Sequence, residues 1–204
     1  NFMPHKKYGQ HIGYMWETPT TQVWERMHKE GKLTAAQSKF WETKPAEELY
    51  DLQADRDEVN NLAASKAHKP VLDELRNANR EHLLKIKDVG LLPEAEFHAR
   101  AAAASTTPYE MGHDRAQYAS EKVLNAALSA SSLSPNAGGT LRKMLEDADS
   151  GVRYWGAMGL LMRGATEVKA SRKSLRECVK DASASVRIAA AEALTTGAAE
   201  SAVA

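Results

Sequence analysis

The sequence is short of several things that would simplify its reading. It has one cysteine, Cys178, in 204 residues, so no disulfide can form within the chain. It has no net charge, since Lys plus Arg and Asp plus Glu each total 27; the field that draws a protein to nucleic acid or an anionic membrane is missing. No apolar run approaches the roughly 18 residues that cross a bilayer, and the N-terminus lacks the basic, apolar and small-residue order of a signal peptide. What is left is 43% hydrophobic and 26% charged, enough for one medium domain or two small ones. Cys178, within "RECVKD", reads as a small buried apolar residue on a helix in preference to a nucleophile. The opening "NFMPHKKYGQ" does not start with Met and reads as the continuation of a longer chain.

Composition changes near residue 98. Residues 1–98 hold three of the four tryptophans, six of the seven histidines and 9 alanines, whereas residues 99–204 hold 25 alanines. Residues 99–114, "ARAAAASTTPYEMGHD", are small and polar around one proline and read as a linker. In the first region "TPTTQVWERMHKEGKL" predicts a short helix capped by Thr20 or Thr21 and stopped by Gly31. Phe40 and Trp41, then Leu49, Tyr50 and Leu52, predict short extended strands separated at Pro45. "PVLDELRNANREHLLKIKDVG" predicts a helix with Leu72, Leu75, Leu83 and Ile86 on one face, Pro70 in its first turn and Gly90 at its stop.

The second region repeats itself. "LRKMLEDADSGVRYWGAMGL" at 141–160 overlays "LRECVKDASASVRIAAAEAL" at 175–194 with a constant offset of 34. Leu141, Arg142, Asp147, Val152, Arg153, Ala157 and Leu160 fall on Leu175, Arg176, Asp181, Val186, Arg187, Ala191 and Leu194. Each copy predicts an apolar helix, a turn containing Asp, then a second helix opening on Val-Arg. The aspartate is expected to accept from free N–H groups at the second helix's start, and the valine to enter the core first. Residues 115–133, with Val123, Leu124, Ala127 and Leu128, predict an earlier, degenerate helix. The Asp-turn-Val-Arg pattern resembles HEAT repeats in their short bacterial form, over residues 115–204 as a region. A 34-residue period also suits tetratricopeptide repeats, whose Trp-Leu-Gly-Tyr spacing is not found here. Such arrays imply a protein partner or a brace for a neighbouring domain.

The stretch "PAEELYDLQADRDEVNNLA" resembles the closing signature of the sulfatase family: a Glu-Leu-Tyr-Asp-Leu strand, an Asp-Pro-Glu turn, then Asn-Leu and a final helix. Pro45, Glu48, Leu49, Tyr50, Asp51, Leu52, Asp55, Glu58, Asn61 and Leu62 fit that order, and Arg56 stands where the family has proline. The opening 33 residues are similar to a segment of sulfamidase-like bacterial sulfatases, some of which carry a HEAT-like tail. The resemblance implies a small α+β C-terminal subdomain over 1–98, with Leu49 and Leu52 packing an antiparallel sheet, followed by an all-α HEAT-like region, mostly helical overall. It also implies a parent enzyme of the alkaline-phosphatase superfamily that hydrolyses sulfate esters or sulfamates with a formylglycine and a calcium ion. The Cys/Ser-X-Pro-X-Arg motif that becomes formylglycine does not occur in this sequence. Catalytic residues, cofactor and metal ligands are accordingly expected in an N-terminal part outside these residues, and this chain is expected to be inactive alone. A periplasmic or secreted parent is compatible with the resemblance. A second reading is a stand-alone interaction or scaffold module.

Among individual residues, His5, Lys6 and His11 are candidates for the edge of the parent's sulfate pocket, against the plainer reading of a polar surface loop. His5 and His11 have no third ligand at a recognisable spacing, so no metal site is read there. Trp16, Trp24 and Trp41 read as core, with a sugar-stacking platform as the alternative. Arg153 and Arg187 read as a structural ladder with Asp147 and Asp181, with an acidic partner as the alternative. The acidic turn of 47–58 lacks the ligand order and central glycine of an EF-hand.

Overall fold

The computed structural model describes the backbone of residues 1–203 and side chains through Gly197. Two compact units divide near Leu72 and Asp73, and each is described by itself. Among the described residues no helix is long and apolar enough to cross a membrane.

The first unit holds α1 (Pro19–Lys29), α2 (Ala35–Ser38) and several short 3-10 turns. Thr18 stands at the N-cap of α1 with Pro19 in the first turn, ahead of Thr20 and Thr21, the threonines expected to cap it. Gly31, at φ +66°, ends α1 in the left-handed conformation that costs glycine least. The expected α+β architecture is not found. Among the described residues there is no strand, and the one β contact is an isolated antiparallel bridge between Lys7 and Thr43. Phe40 and Trp41 lie in a 3-10 turn, Lys39–Trp41, where aromatic packing overrides their strand propensity. Trp41, 5% exposed, is the hub: Trp16 and Trp24 meet it edge-on with centroids at 6.0 and 5.3 Å, and His28 stacks on it at 5.8 Å. Trp41 is therefore core, with Trp16 and Trp24 half-buried around it. Besides Trp41 the only buried residue of 1–72 is Pro4.

A helix α3 (Lys69–Ile86) passes from the first unit into the second. It stops at Lys87, whose φ is +52°, short of Gly90, because Asp88 turns the chain by accepting from the Gly90 N–H at 2.8 Å. The span read as a linker carries α4 (Glu94–Ala103) and α5 (Pro108–His113), with Ala101 and Met111 buried. Small size and one proline suggested a loop; a Thr107–Glu110 capping box with Pro108 at its first turn instead starts a helix.

The rest of the unit is a stack. After α6 (Ser120–Ser131), the copies form two helix pairs, α7 (Gly138–Met144) with α8 (Ser150–Met162) and α10 (Arg172–Cys178) with α11 (Ala184–Val203). A short α9 (Ala165–Ala170) joins them. Helix α8 packs on α6 on one side and on α11 on the other. Val152 and Val186 are 4% and 0% exposed, as are Leu141 and Leu175 at 0%. Cys178 is buried, with its thiol facing the Leu145 carbonyl at 4.0 Å.

The layers approach closely because small residues line them. A methyl placed on Gly159 would lie 2.5 Å from Leu141 Cδ2 and 3.0 Å from Ala130 Cβ. Gly159→Ala gains about 1 kcal/mol of helix propensity and loses about 1–3 kcal/mol to overpacking. Urea denaturation of that variant should show net destabilisation; a more stable protein would mean that α6 and α8 can part without cost.

Candidate functional site

The stretch 47–62 closes on itself. Leu62 N–H donates to the Leu49 carbonyl at 2.7 Å. Asn61 completes the closure: its Oδ1 accepts from the N–H groups of Leu49 and Ala63, both at 3.0 Å, and its Nδ2 donates to the Glu47 carbonyl at 3.0 Å. Inside the loop Asp51 Oδ1 accepts from Gln53 N–H at 3.0 Å, and Asp55 from the N–H groups of Val59 and Asn60 at 3.2 and 2.7 Å. The backbone groups a β-ladder would use are taken by side chains. This is why Leu49 and Leu52 do not pack a sheet: Leu49 is half-buried and Leu52 is 61% exposed. Asp55 holds the turn at Arg56 by these hydrogen bonds.

The loop is tied to the start of the chain by a polar knot around Glu48. Its Oε1 accepts from the hydroxyls of Tyr8 and of Tyr50, the latter at 2.7 Å, and its Oε2 from Asn1 Nδ2 at 2.8 Å. Lys39 donates to the Tyr50 hydroxyl and to the Glu58 carbonyl, and its ammonium lies 4.6 Å from the Tyr50 ring centroid. Burial pushes the Glu48 carboxyl up, but hydrogen bonds from Tyr8, Asn1 and Tyr50 with the Lys39 charge hold it below the usual range. Burial and then the bond to Glu48 push the Tyr8 hydroxyl above the usual tyrosine range. Lys39 was not singled out in the sequence, since it lies outside the contiguous motif.

The candidate pocket-edge residues do not form a common cluster with this knot. His5 is half-buried, the Lys6 carbonyl accepts from Lys44 N–H at 3.3 Å, and His11 is exposed and stacks on Trp16 at 4.3 Å. An open apolar groove of about 430 Å³ runs along α1, lined chiefly by Val23, Trp24, Met27 and Leu33. None of His5, Lys6 and His11 lines it. Among the described residues no three His, Cys, Asp or Glu side chains gather into a metal-binding group.

In the helical stack the repeat residues form a register. Asp147 accepts from Asp149 N–H, and Asp181 from Ser183 N–H, both at 2.8 Å. These aspartates close turns ahead of Ser150 and Ala184, where the helices begin; the cap of α8 is Asp149, accepting from Gly151 N–H at 2.7 Å. Arg153 spans the layers, its Nε and Nη2 donating to the Asp181 carboxylate at 2.7 and 2.8 Å. Lys122 of α6 reaches Asp147 at 2.6 Å.

The most buried charges lie beside this register. Glu96 of α4 is 9% exposed. Its carboxylate accepts from the Ser150 hydroxyl, at the start of α8, and from Ser183 Oγ at 2.6 Å, just before α11. Arg100 donates to Glu96 Oε1 at 3.1 Å, to Asp149 Oδ1 at 2.6 Å, to Ser150 Oγ at 2.8 Å and to the Gln117 carbonyl at 3.1 Å. An anion set against two helix N-termini is favoured by their partial positive charge. The sequence signal was faint: Glu96 and Arg100 look like an ordinary i,i+4 surface pair.

No family model and no solved structure matches the chain. Among curated proteins, the "Ulvan-active sulfatase" of Formosa agariphila is 38% identical over 98 residues. Over that stretch the chain is related to a sulfatase. The match covers 48% of this chain and 16% of the Formosa protein, so it takes in a small fraction of the relative's length.

Burial pushes the Glu96 and Asp149 carboxyls up, but the bonds from Ser150, Ser183 and Arg100 to the first, and from Arg100 with its charge to the second, leave both below their ordinary values. Folded values lower than the unfolded ones mean that this stability is present above the unfolded glutamate value of 4.5 and is lost as pH falls through the lower folded values. Unfolding free energy should therefore drop as pH falls below 4.5, and Glu96→Gln should flatten that drop. At neutral pH, Arg100→Leu should cost about 3–5 kcal/mol by stranding buried carboxylates. An unchanged acid profile in Glu96→Gln would show that the network does not carry the pH dependence.

Proposed function

We propose that this chain is the non-catalytic C-terminal portion of a sulfatase that hydrolyses sulfate esters or sulfamates on sulfated glycans. The observation that carries this reading is the 38% identity to a sulfatase that acts on ulvan, together with the self-closed 47–62 loop formed by the signature residues. Two further facts support it. The sequence holds no Cys/Ser-X-Pro-X-Arg motif, so it has no source for a formylglycine. The first unit buries only Pro4 and Trp41, a thin core for about 70 residues and the expected state of a piece that rests on a larger domain. In this reading formylglycine and calcium belong to the N-terminal sulfatase domain, which is the main partner, and His5, Lys6 and His11 stand at the edge of its sulfate pocket. The two helix pairs act as a HEAT-like extension.

A second reading, a scaffold module without catalysis, draws on the same helix pairs, whose matching residues take matching places in the stack. One comparison separates the two. Turnover of 4-nitrophenyl sulfate with calcium should be absent from the 204 residues and present in the complete reading frame that contains them, once formylglycine is verified by mass. Turnover by the 204 residues alone would place the chemistry within them and overturn the proposal. No turnover in a matured complete protein would favour the scaffold.

A further inference from the structure

The charges of the chain sum to zero, but they are not evenly spread. Between positions 169 and 180 stand five cations, Lys169, Arg172, Lys173, Arg176 and Lys180, against one acid, Glu177. All five are exposed, as is Lys143 of α7. Among the described residues none of these six side chains enters an ion pair or a hydrogen bond. The other arginines of the stack are all engaged. Arg142 donates to Glu167 at 3.2 Å, Arg153 to Asp181 at 2.7 Å, Arg163 to the carbonyls of Ala130 and Gly159 at 2.8 Å, and Arg187 to the carbonyls of Asp181 and Ala182 at 2.7 and 2.9 Å.

The helix period puts the free cations on one side. Leu175 and Cys178 turn inward from α10, at 0% and 6% exposed. Arg172, Lys173 and Arg176 fall on the opposite face, and Lys180 follows in the turn after the helix. Helix α7 runs alongside: its Arg142 reaches Ser171 at 3.4 Å, and its Leu145 carbonyl meets the Cys178 thiol. On α7, Lys143 stands opposite the buried Leu141 and Leu145. The row thus lies on the side of α7 and α10 turned away from α8 and α11. Layers of the stack succeed one another sideways, from α7 to α10, so a further layer would leave this side open. The inner helices have no such row, because Arg153 and Arg187 are bonded to neighbouring turns.

Like charges three and four positions apart destabilise a helix, and here Arg172, Lys173 and Arg176 stand so with no acid bonded to them. An arriving anion relieves that repulsion. Exposed cations are individually weak in water, but a row that recurs with each helical turn of about 5.4 Å acts together on a polyanion, whose counterions it releases. We propose that this outward face of α7, α9 and α10 holds a polysaccharide bearing sulfate esters, apart from the catalytic domain of the sulfatase, and so keeps the polymer at the enzyme. The choice of a glycan among polyanions rests on the sulfatase reading; the row of cations does not.

Binding of fluorescent dextran sulfate to the 204-residue chain, with neutral dextran and a short DNA duplex as comparisons, tests the face. Dextran sulfate should bind and neutral dextran should not, with affinity falling as salt rises. The double reversal Lys173→Glu and Arg176→Glu should weaken binding by about tenfold or more and lower the salt slope by about two. Reversing Lys85 and Arg115 to Glu, at exposed cations outside the row, makes the same change in net charge and should leave most of the affinity, with melting curves checking that each variant folds. No binding at low salt, or an equal loss in both double variants, would overturn the proposal, and tighter binding of the DNA duplex would assign the face to nucleic acid and overturn it as well. In the complete protein the Lys173 and Arg176 reversal should slow desulfation of the polymer and leave turnover of 4-nitrophenyl sulfate as it was; an equal loss on both substrates would overturn the tethering role. Polymer binding that depends on the row, in a complete protein without turnover, would sustain the face and fail the sulfatase reading alone.

Discussion

A carboxylate buried without a partner would cost this fold several kcal/mol, and Glu96 is the place where that cost has to be met. It is met by three elements at once: the Ser150 hydroxyl from α8, the Ser183 hydroxyl ahead of α11, and Arg100 one turn along α4. Arg100 in turn satisfies Asp149, which caps α8. None of these groups is content unless all the helices are in place. The two helix pairs, which share an apolar seam of small residues and the Arg153–Asp181 ion pair, thereby gain a fixed register against α4. Direction comes from the polar network; close approach comes from Gly159, Ala130 and their like.

The first unit solves a different problem with the opposite economy. It has little apolar surface to bury, and Trp41 gathers most of what there is. The indole N–H of Trp41 is itself buried with no hydrogen-bond partner among the described residues, a cost of about 1–3 kcal/mol that only strong aromatic packing offsets. Order elsewhere is local: Asp51, Asp55 and Asn61 satisfy the backbone of their own loop, and Glu48 fastens that loop to the first residues of the chain. A loop ordered in this way keeps its shape without a sheet.

The helices and their repeat were legible because periodicity and an offset of 34 are properties of the whole segment, and the second unit obeys them. Strands were predicted where they do not form. Phe40, Trp41, Leu49 and Tyr50 have strand propensity, but aromatic clustering and side-chain-to-backbone bonds claimed them first. Residues 99–114 read as a linker because alanine and threonine carry no apolar period; the capping box at Thr107 and Glu110 was the available sign of a helix. The Glu96 network was invisible for a plainer reason. Apart from the Glu96–Arg100 pair, its members lie far apart in the chain, up to 87 residues, and each alone looks like a surface polar residue. The ladder residue Arg153 was legible in the repeat, but its bond to the following layer's Asp181 required the packed stack.

The account rests most heavily on Glu96 joining the starts of α8 and α11. Native-state hydrogen exchange on the full chain measures this directly, through the first-turn amides of both helices in the wild-type protein and in Glu96→Ala. The account predicts that these amides exchange slowly and lose protection together in the variant, while amides in the middle of α6 keep theirs. Loss of protection at one helix start with the other unchanged would contradict it, because the carboxylate would then be serving one cap and not holding two layers in register.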